Sequence, residues 1–224
     1  LEDLEVNFEN QLPLINPEDN ELLCKKLMVR MQEILLWHAW PKFTPKEDEV
    51  LPMKCTISIF DRTKKLPDPR YISPFDKLTI ALNKARKKEE KIFSIRPKRL
   101  LGYVGLQNCS YDSEIDQRFR NLLGDDSLIP SKLAHFALLR PAELVVKYLT
   151  RNLEEGQDQW CGVFICDNNK EIEQSFAKSE PPSHDDWNPQ SLDDNYQRTF
   201  VNQALTKIKE KIKVLSEINS LDDQ

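Results

Sequence analysis

The chain has 224 residues, of which 39% are hydrophobic and 31% charged, with a formal net charge of −5 and a pI near 5.4. That acidic balance argues against a general nucleic-acid or anionic-membrane binder while leaving room for a local basic patch. No run approaches the roughly 20 consecutive apolar residues of a membrane-spanning helix, and a chain of this length needs no covalent staple to hold a core.

In chain order, Leu4-Glu5-Val6-Asn7-Phe8 alternates as a half-buried strand does. Asn16-Pro17-Glu18-Asp19 is a helix-start signal. The residues after it place Leu23, Leu27, Met31, Ile34 and Leu35 on one face, predicting a helix from Pro17 to His38 that Pro41 and Pro45 end. Met53 to Asp61 reads as a strand through Cys55-Thr56-Ile57-Ser58-Ile59-Phe60. Ser73-Pro74 opens a second helix to about Lys88, with Phe75, Leu78, Leu82 and Ala85 inward. Ile92–Ile95 and Leu100–Leu106 form two strands joined at Pro97.

Ser113 starts a short helix carrying Ile115, Phe119 and Leu122, which Gly124 stops. Pro130 to Leu153 reads as helical in two parts divided at Pro141. Trp160 to Cys166 is the apolar run of a strand buried on both faces. A short helix spans Lys170 to Lys178, and the proline-rich stretch from Glu180 to Pro189 is irregular. Asp193 to about Asn219 is a long terminal helix. The expected fold is mixed α/β (α+β) and helix-rich, a small mixed sheet covered by helices with a long amphipathic C-terminal helix. Residues 1–190 form the domain and residues 191–224 an arm that packs on the domain or on a partner.

Five cysteines, an odd number with no CxxC pair, point to a reducing, cytoplasmic setting and away from structural zinc. No Gly-x-Ser-x-Gly elbow or phosphate loop is present, which leans against an enzyme, and no motif indicates a cofactor or a metal.

Four groups of residues stand as candidate sites. Asp61 and Asp167 each end a strand; if those strands are parallel neighbours, the two carboxylates could share Mg²⁺ for hydrolysis. His184, Asp185 and Asp186 place an imidazole and two carboxylates in one rigid loop. Lys84, Arg86, Lys87, Lys88, Lys91, Arg96, Lys98 and Arg99 form a basic stretch able to meet phosphates, with Phe93 and Tyr103 able to stack on bases. Val201, Leu205, Ile208, Ile212 and Leu215 make an apolar stripe for the domain's own core or for a partner helix.

Three functions follow in order of preference. The first is a non-catalytic interaction or scaffold subunit of an intracellular complex, with other protein subunits as partners. The second is a nucleic-acid-contacting module working through Lys84 to Arg99. The third is a Mg²⁺-dependent hydrolase or nuclease using the strand-end aspartates. No membrane partner is expected.

Overall fold

The structure is a computed structural model that describes residues 17–46, 51–110, 115 and 117–218, with side chains from 21 to 216 within those ranges. The strand expected at Leu4–Phe8 lies outside them. Helix α1 (Pro17–Ala39) runs into a short 3₁₀ turn, Trp40–Phe43, whose second residue is Pro41. Strands β1 (Thr56–Ile59) and β2 (Arg62–Lys65) make an antiparallel hairpin of their own. Then come α2 (Phe75–Arg86), β3 (Glu90–Phe93), β4 (Leu100–Cys109) and a single turn of helix, α3 (Arg120–Leu123). Strands β5 (Ala134–Leu139), β6 (Val145–Thr150) and β7 (Gln159–Cys166) precede α4 (Lys170–Lys178) and α5 (Asn195–Ile218). Side chains supply the caps: Asn169 accepts from the Glu171 amide at 3.0 Å, and Asp194 from the Tyr196 and Gln197 amides at 2.8 and 2.9 Å.

The fold is mixed α+β. Its main sheet has the order β3-β4-β7-β5-β6, with β5 and β7 parallel and every other neighbouring pair antiparallel. All eight residues of β7 are buried, so helices must cover both faces of the sheet. On one face, α2 packs Phe75, Leu78, Ala81, Leu82 and Ala85 against Ala137, Leu139, Cys161, Val163 and Ile165. On the other, α4 and α5 pack Ile172, Phe176, Phe200, Val201, Ala204 and Ile208 against Phe136, Leu138, Trp160 and Phe164.

The helical reading of Pro130–Leu153 is wrong: this segment is the β5–β6 hairpin. Ala134-His135-Phe136-Ala137-Leu138-Leu139 sits between two strands and is buried on both sides, so it lacks the alternation that reveals a strand. Pro141 lies in the turn rather than at a kink. Of the helix expected to start at Ser113, the described residues show Arg120–Leu123, and Ser113 itself is outside them.

Helix α1 docks beside α2 through its C-terminal half. Trp37 stacks on Tyr148 of β6, with ring centres 4.1 Å apart. The Tyr148 hydroxyl donates to the Trp37 carbonyl at 2.8 Å and accepts from Trp40 Nε1 at 3.0 Å. Burial pushes the Tyr148 phenol far above its ordinary range. His135 edges the same cluster, with its ring 5.7 Å from Trp37.

Gly105 marks where α2 crosses the sheet most closely, since a Cβ there would lie 1.8 Å from the Ala81 carbonyl oxygen and 2.8 Å from the Ala85 nitrogen. Both obstacles are backbone, so Gly105→Ala must push the helix off the sheet. A loss of about 3 kcal/mol or more in urea unfolding is expected. Burial also lowers the pKa of His135 from 6.5 to about 4. The unfolded chain therefore takes up this proton first as pH falls, and stability declines between about pH 6.5 and pH 4 by up to ~1.4 kcal/mol per pH unit. Denaturation midpoints measured across that window should show this slope, and His135→Gln should flatten it.

Candidate functional site

Helix α1 is about 34 Å long and apolar on two sides. Its inner side buries Met28, Leu36 and Trp37, but also Gln32 at 3% exposure and Glu33 at 0%. Its outer side carries most of the stripe read from the sequence, Leu35 being half-buried. Leu27, Met31 and Ile34 are 42%, 42% and 37% exposed, and Leu23 is half-buried beside them. At about 100° per residue, positions 27, 31 and 34 fall opposite 32, 33 and 36. The helix thus turns leucine, methionine and isoleucine outward while enclosing an amide and a carboxylate.

Local hydrogen bonding accounts for the inversion. Glu33 Oε1 accepts from the Ser127 hydroxyl and from the amides of Leu128 at 2.8 Å and Ile129 at 3.4 Å. Arg30 Nη1 donates to Glu33 Oε2 at 2.7 Å. Gln32 Nε2 donates to the Lys65 carbonyl at 3.3 Å and so ties the β1–β2 hairpin to the helix. α1 thus supplies acceptors and a donor to the backbone of the loop and hairpin beside it, the Ile129 amide among them being buried.

Cations border the outer stripe. Lys26 is exposed and has no ion pair among the described residues. On the hairpin side, Arg62, Lys64 and Lys65 are all exposed, with Glu21 bridging Lys25 at 3.0 Å and Arg62 at 3.5 Å. The Lys25 side chain, the largest influence, and then Arg62 hold the Glu21 carboxyl below its ordinary value.

The strand-end aspartates are not brought together. Asp61 is in the two-residue β1–β2 turn, and among the described residues β1 pairs only with β2, in a different sheet from β7. Asp167 accepts from the Tyr103 hydroxyl at 3.1 Å and from the Asn169 amide at 2.9 Å, steering the chain from β7 into α4. Nor do His184, Asp185 and Asp186 converge. Asp185 accepts from Ser183 at 2.5 Å, Asp186 accepts from Lys147 at 2.5 Å, and exposed His184 pairs with Glu180 at 2.9 Å. Glu180, which sequence reasoning passed over, organises this loop. Its buried carboxylate also accepts from Trp187 Nε1 at 3.2 Å and Arg140 Nη1 at 3.5 Å. Among the described residues, no group of three or more His, Cys, Asp or Glu could hold a metal ion.

The basic stretch is dispersed. Lys84 donates to the Leu106 carbonyl at 2.7 Å, and Arg86 is drawn inward. Lys87 and Lys88 follow α2 in a turn, whereas Lys91, Arg96, Lys98 and Arg99 stand exposed on edge strand β3 and the turn after it. Lys98 lies over the Phe93 ring at 5.6 Å, and Arg99 pairs with Glu171 at 3.5 Å. On α5, Val201, Ile208, Ile212 and Leu215 are buried in the second core, with Leu205 packed against it.

At the carboxyl ends of β5 and β7 there is a cleft of about 450 Å³. One wall is the end of α2, and another is the β5–β6 turn with Pro141 and Glu143. Glu143 has a φ of 57° and is 5% exposed. It accepts from Arg86 at 3.2 and 2.9 Å and from Lys46 at 3.0 Å. Burial raises the Glu143 carboxyl, but Arg86 and Lys46 outweigh it and leave the group below its ordinary value. Tyr103 forms part of the floor with Ile165, and its ring lies 5.0 Å from the Lys88 ammonium.

No protein-family model matches the chain, and no curated protein or solved structure matches it significantly.

Arg86 also donates to the Pro41 and Pro45 carbonyls at 3.2 and 2.9 Å, so it ties the segment after α1 to α2 and to Glu143. Arg86→Met should cost about 3 kcal/mol in chemical denaturation, because it leaves a buried carboxylate with the exposed Lys46 alone.

Proposed function

We propose that the chain is an interaction subunit of a multicomponent assembly, and that the outer face of α1 receives an acidic amphipathic helix from a partner protein. One observation carries this reading: α1 buries Gln32 and Glu33 while exposing Leu27, Met31 and Ile34. A helix apolar on both sides is one that is covered on both sides in its working state. Charge complementarity selects the occupant. Lys26 on one flank and Arg62, Lys64 and Lys65 on the other favour a helix with acidic edges. A second copy would set this basic surface against itself. The stripe offers no aromatic ring for stacking on bases, which favours protein over nucleic acid. Covering Leu27, Met31 and Ile34 contributes about 1 kcal/mol per side chain, in the manner of a helix laid lengthwise on a helix.

The test places a photo-crosslinking residue at Met31 of the chain in its native extract and sequences the attached segment. A synthetic peptide of that segment is then titrated onto the purified chain. The expected segment is an acidic amphipathic helix whose Kd rises at least tenfold with Leu27→Glu or Met31→Glu, and whose salt dependence shrinks with Lys26→Glu. Circular dichroism should show both glutamate variants folded, because neither side chain is in the core. The reading fails if the attachment is to a second copy, to nucleic acid or to nothing, or if the peptide binds Met31→Glu as tightly as the parent.

A further inference from the structure

We propose that the cleft at the carboxyl ends of β5 and β7 binds a nucleoside monophosphate, with the base on the Tyr103 ring and the phosphate between Lys46 and Lys88. The position is the first argument. In sheets with parallel strands, ligands collect beyond the carboxyl ends, where the connections leave a crevice. Here β5 and β7 are the parallel pair, and the β5–β6 turn and the β7–α4 connection line the opening through Glu143 and Asn168. A volume of about 450 Å³ suits a ligand of this size.

The side chains specify the chemistry. The Tyr103 hydroxyl, donating to Asp167 at 3.1 Å, fixes the ring by its far end, and Lys88 covers the ring face at 5.0 Å. A lysine over an aromatic face is a flexible cover, and a flat base can take its place while the released ammonium turns to a phosphate. Lys46 also lines the cleft and is held by Glu143, 3.0 Å away, and Glu143 in turn is held by Arg86. A carboxylate in the left-handed region, buried beside the opening, is backbone strain of the kind kept at ligand sites. The Asn168 side chain gives the rim an amide able to donate to and accept from a base edge. None of these residues lies on the outer stripe of α1, so the cleft and the docking face stand or fall separately.

Calorimetric titration of the purified chain with AMP and UMP tests the assignment, with adenosine and ribose 5-phosphate as the arms that lack one half of the ligand. At least one nucleotide should bind, and both truncated ligands should bind at least tenfold more weakly. Lys88→Ala, an exposed position, should weaken the nucleotide about fivefold or more. Tyr103→Leu should weaken it about tenfold, with ribose 5-phosphate unaffected. Lys209→Ala, at an exposed position on α5, serves as the unchanged control. The proposal is overturned if neither nucleotide binds at millimolar concentration, if either half-ligand binds as well as the whole, or if folded Lys88→Ala binds like the parent.

Discussion

The architecture depends on the burial of β7. A strand with eight enclosed residues, paired to β4 on one side and β5 on the other, cannot tolerate water on either face. It therefore requires two helical layers. The close layer is set by glycine: Gly105 lets the α2 backbone rest on β4, where any side chain would collide. With α2 that near the sheet centre, α1 is displaced towards β6, and the Trp37–Tyr148 stack and the Trp40 hydrogen bond hold it there. The opposite layer uses larger residues, with Phe164, Phe176 and Trp187 meeting edge-on or tilted at 4.6 to 6.0 Å.

The displaced position of α1 explains its chemistry. Over the sheet it meets aromatic residues and buries tryptophans. Away from the sheet it meets loop and hairpin backbone, which needs hydrogen-bond partners more than apolar cover. Glu33 and Gln32 answer that need. Among the described residues, Leu27, Met31 and Ile34 on the far side stay exposed, and this is what separates α1 from α5. The stripe of α5 is spent on the second core, closing over Ile92, Leu101 and Val104.

Much of this fold was legible in the residues. Strong periodicity marked α1, α2, α4 and α5, and the apolar run at Trp160–Cys166 marked the central strand. The β5–β6 hairpin was not legible, because Ala134–Leu139 is buried on both sides and its leucine and alanine content favours helix locally, while the sheet decides otherwise. The outer stripe could be read from spacing, but not the direction it faces. A signal was present: Trp37, Leu36 and Met28 made a second apolar face on the same helix, and two faces cannot both meet one core. Asp167 and Asp186 accept from nearby backbone amides, and turn-forming aspartates of this kind resemble ligands when only the sequence is in view. Glu143 gave no sequence signal at all; its importance comes from a left-handed turn and from an arginine 57 positions earlier in the chain.

The carboxylate of Glu33 has one more consequence, for the roll of α1 about its own axis. Hydrophobicity alone does not choose between the two apolar sides of this helix, since either could lie against the domain. The choice rests on a handful of directional bonds from Glu33 and Gln32, which would be stranded in solvent or broken if the cylinder turned by half a revolution. Two polar residues on the hidden side thereby act as the key that orients the visible one. Exchanging both for aliphatic residues would leave a helix with two near-equivalent seatings, one of which turns Leu27, Met31 and Ile34 inward.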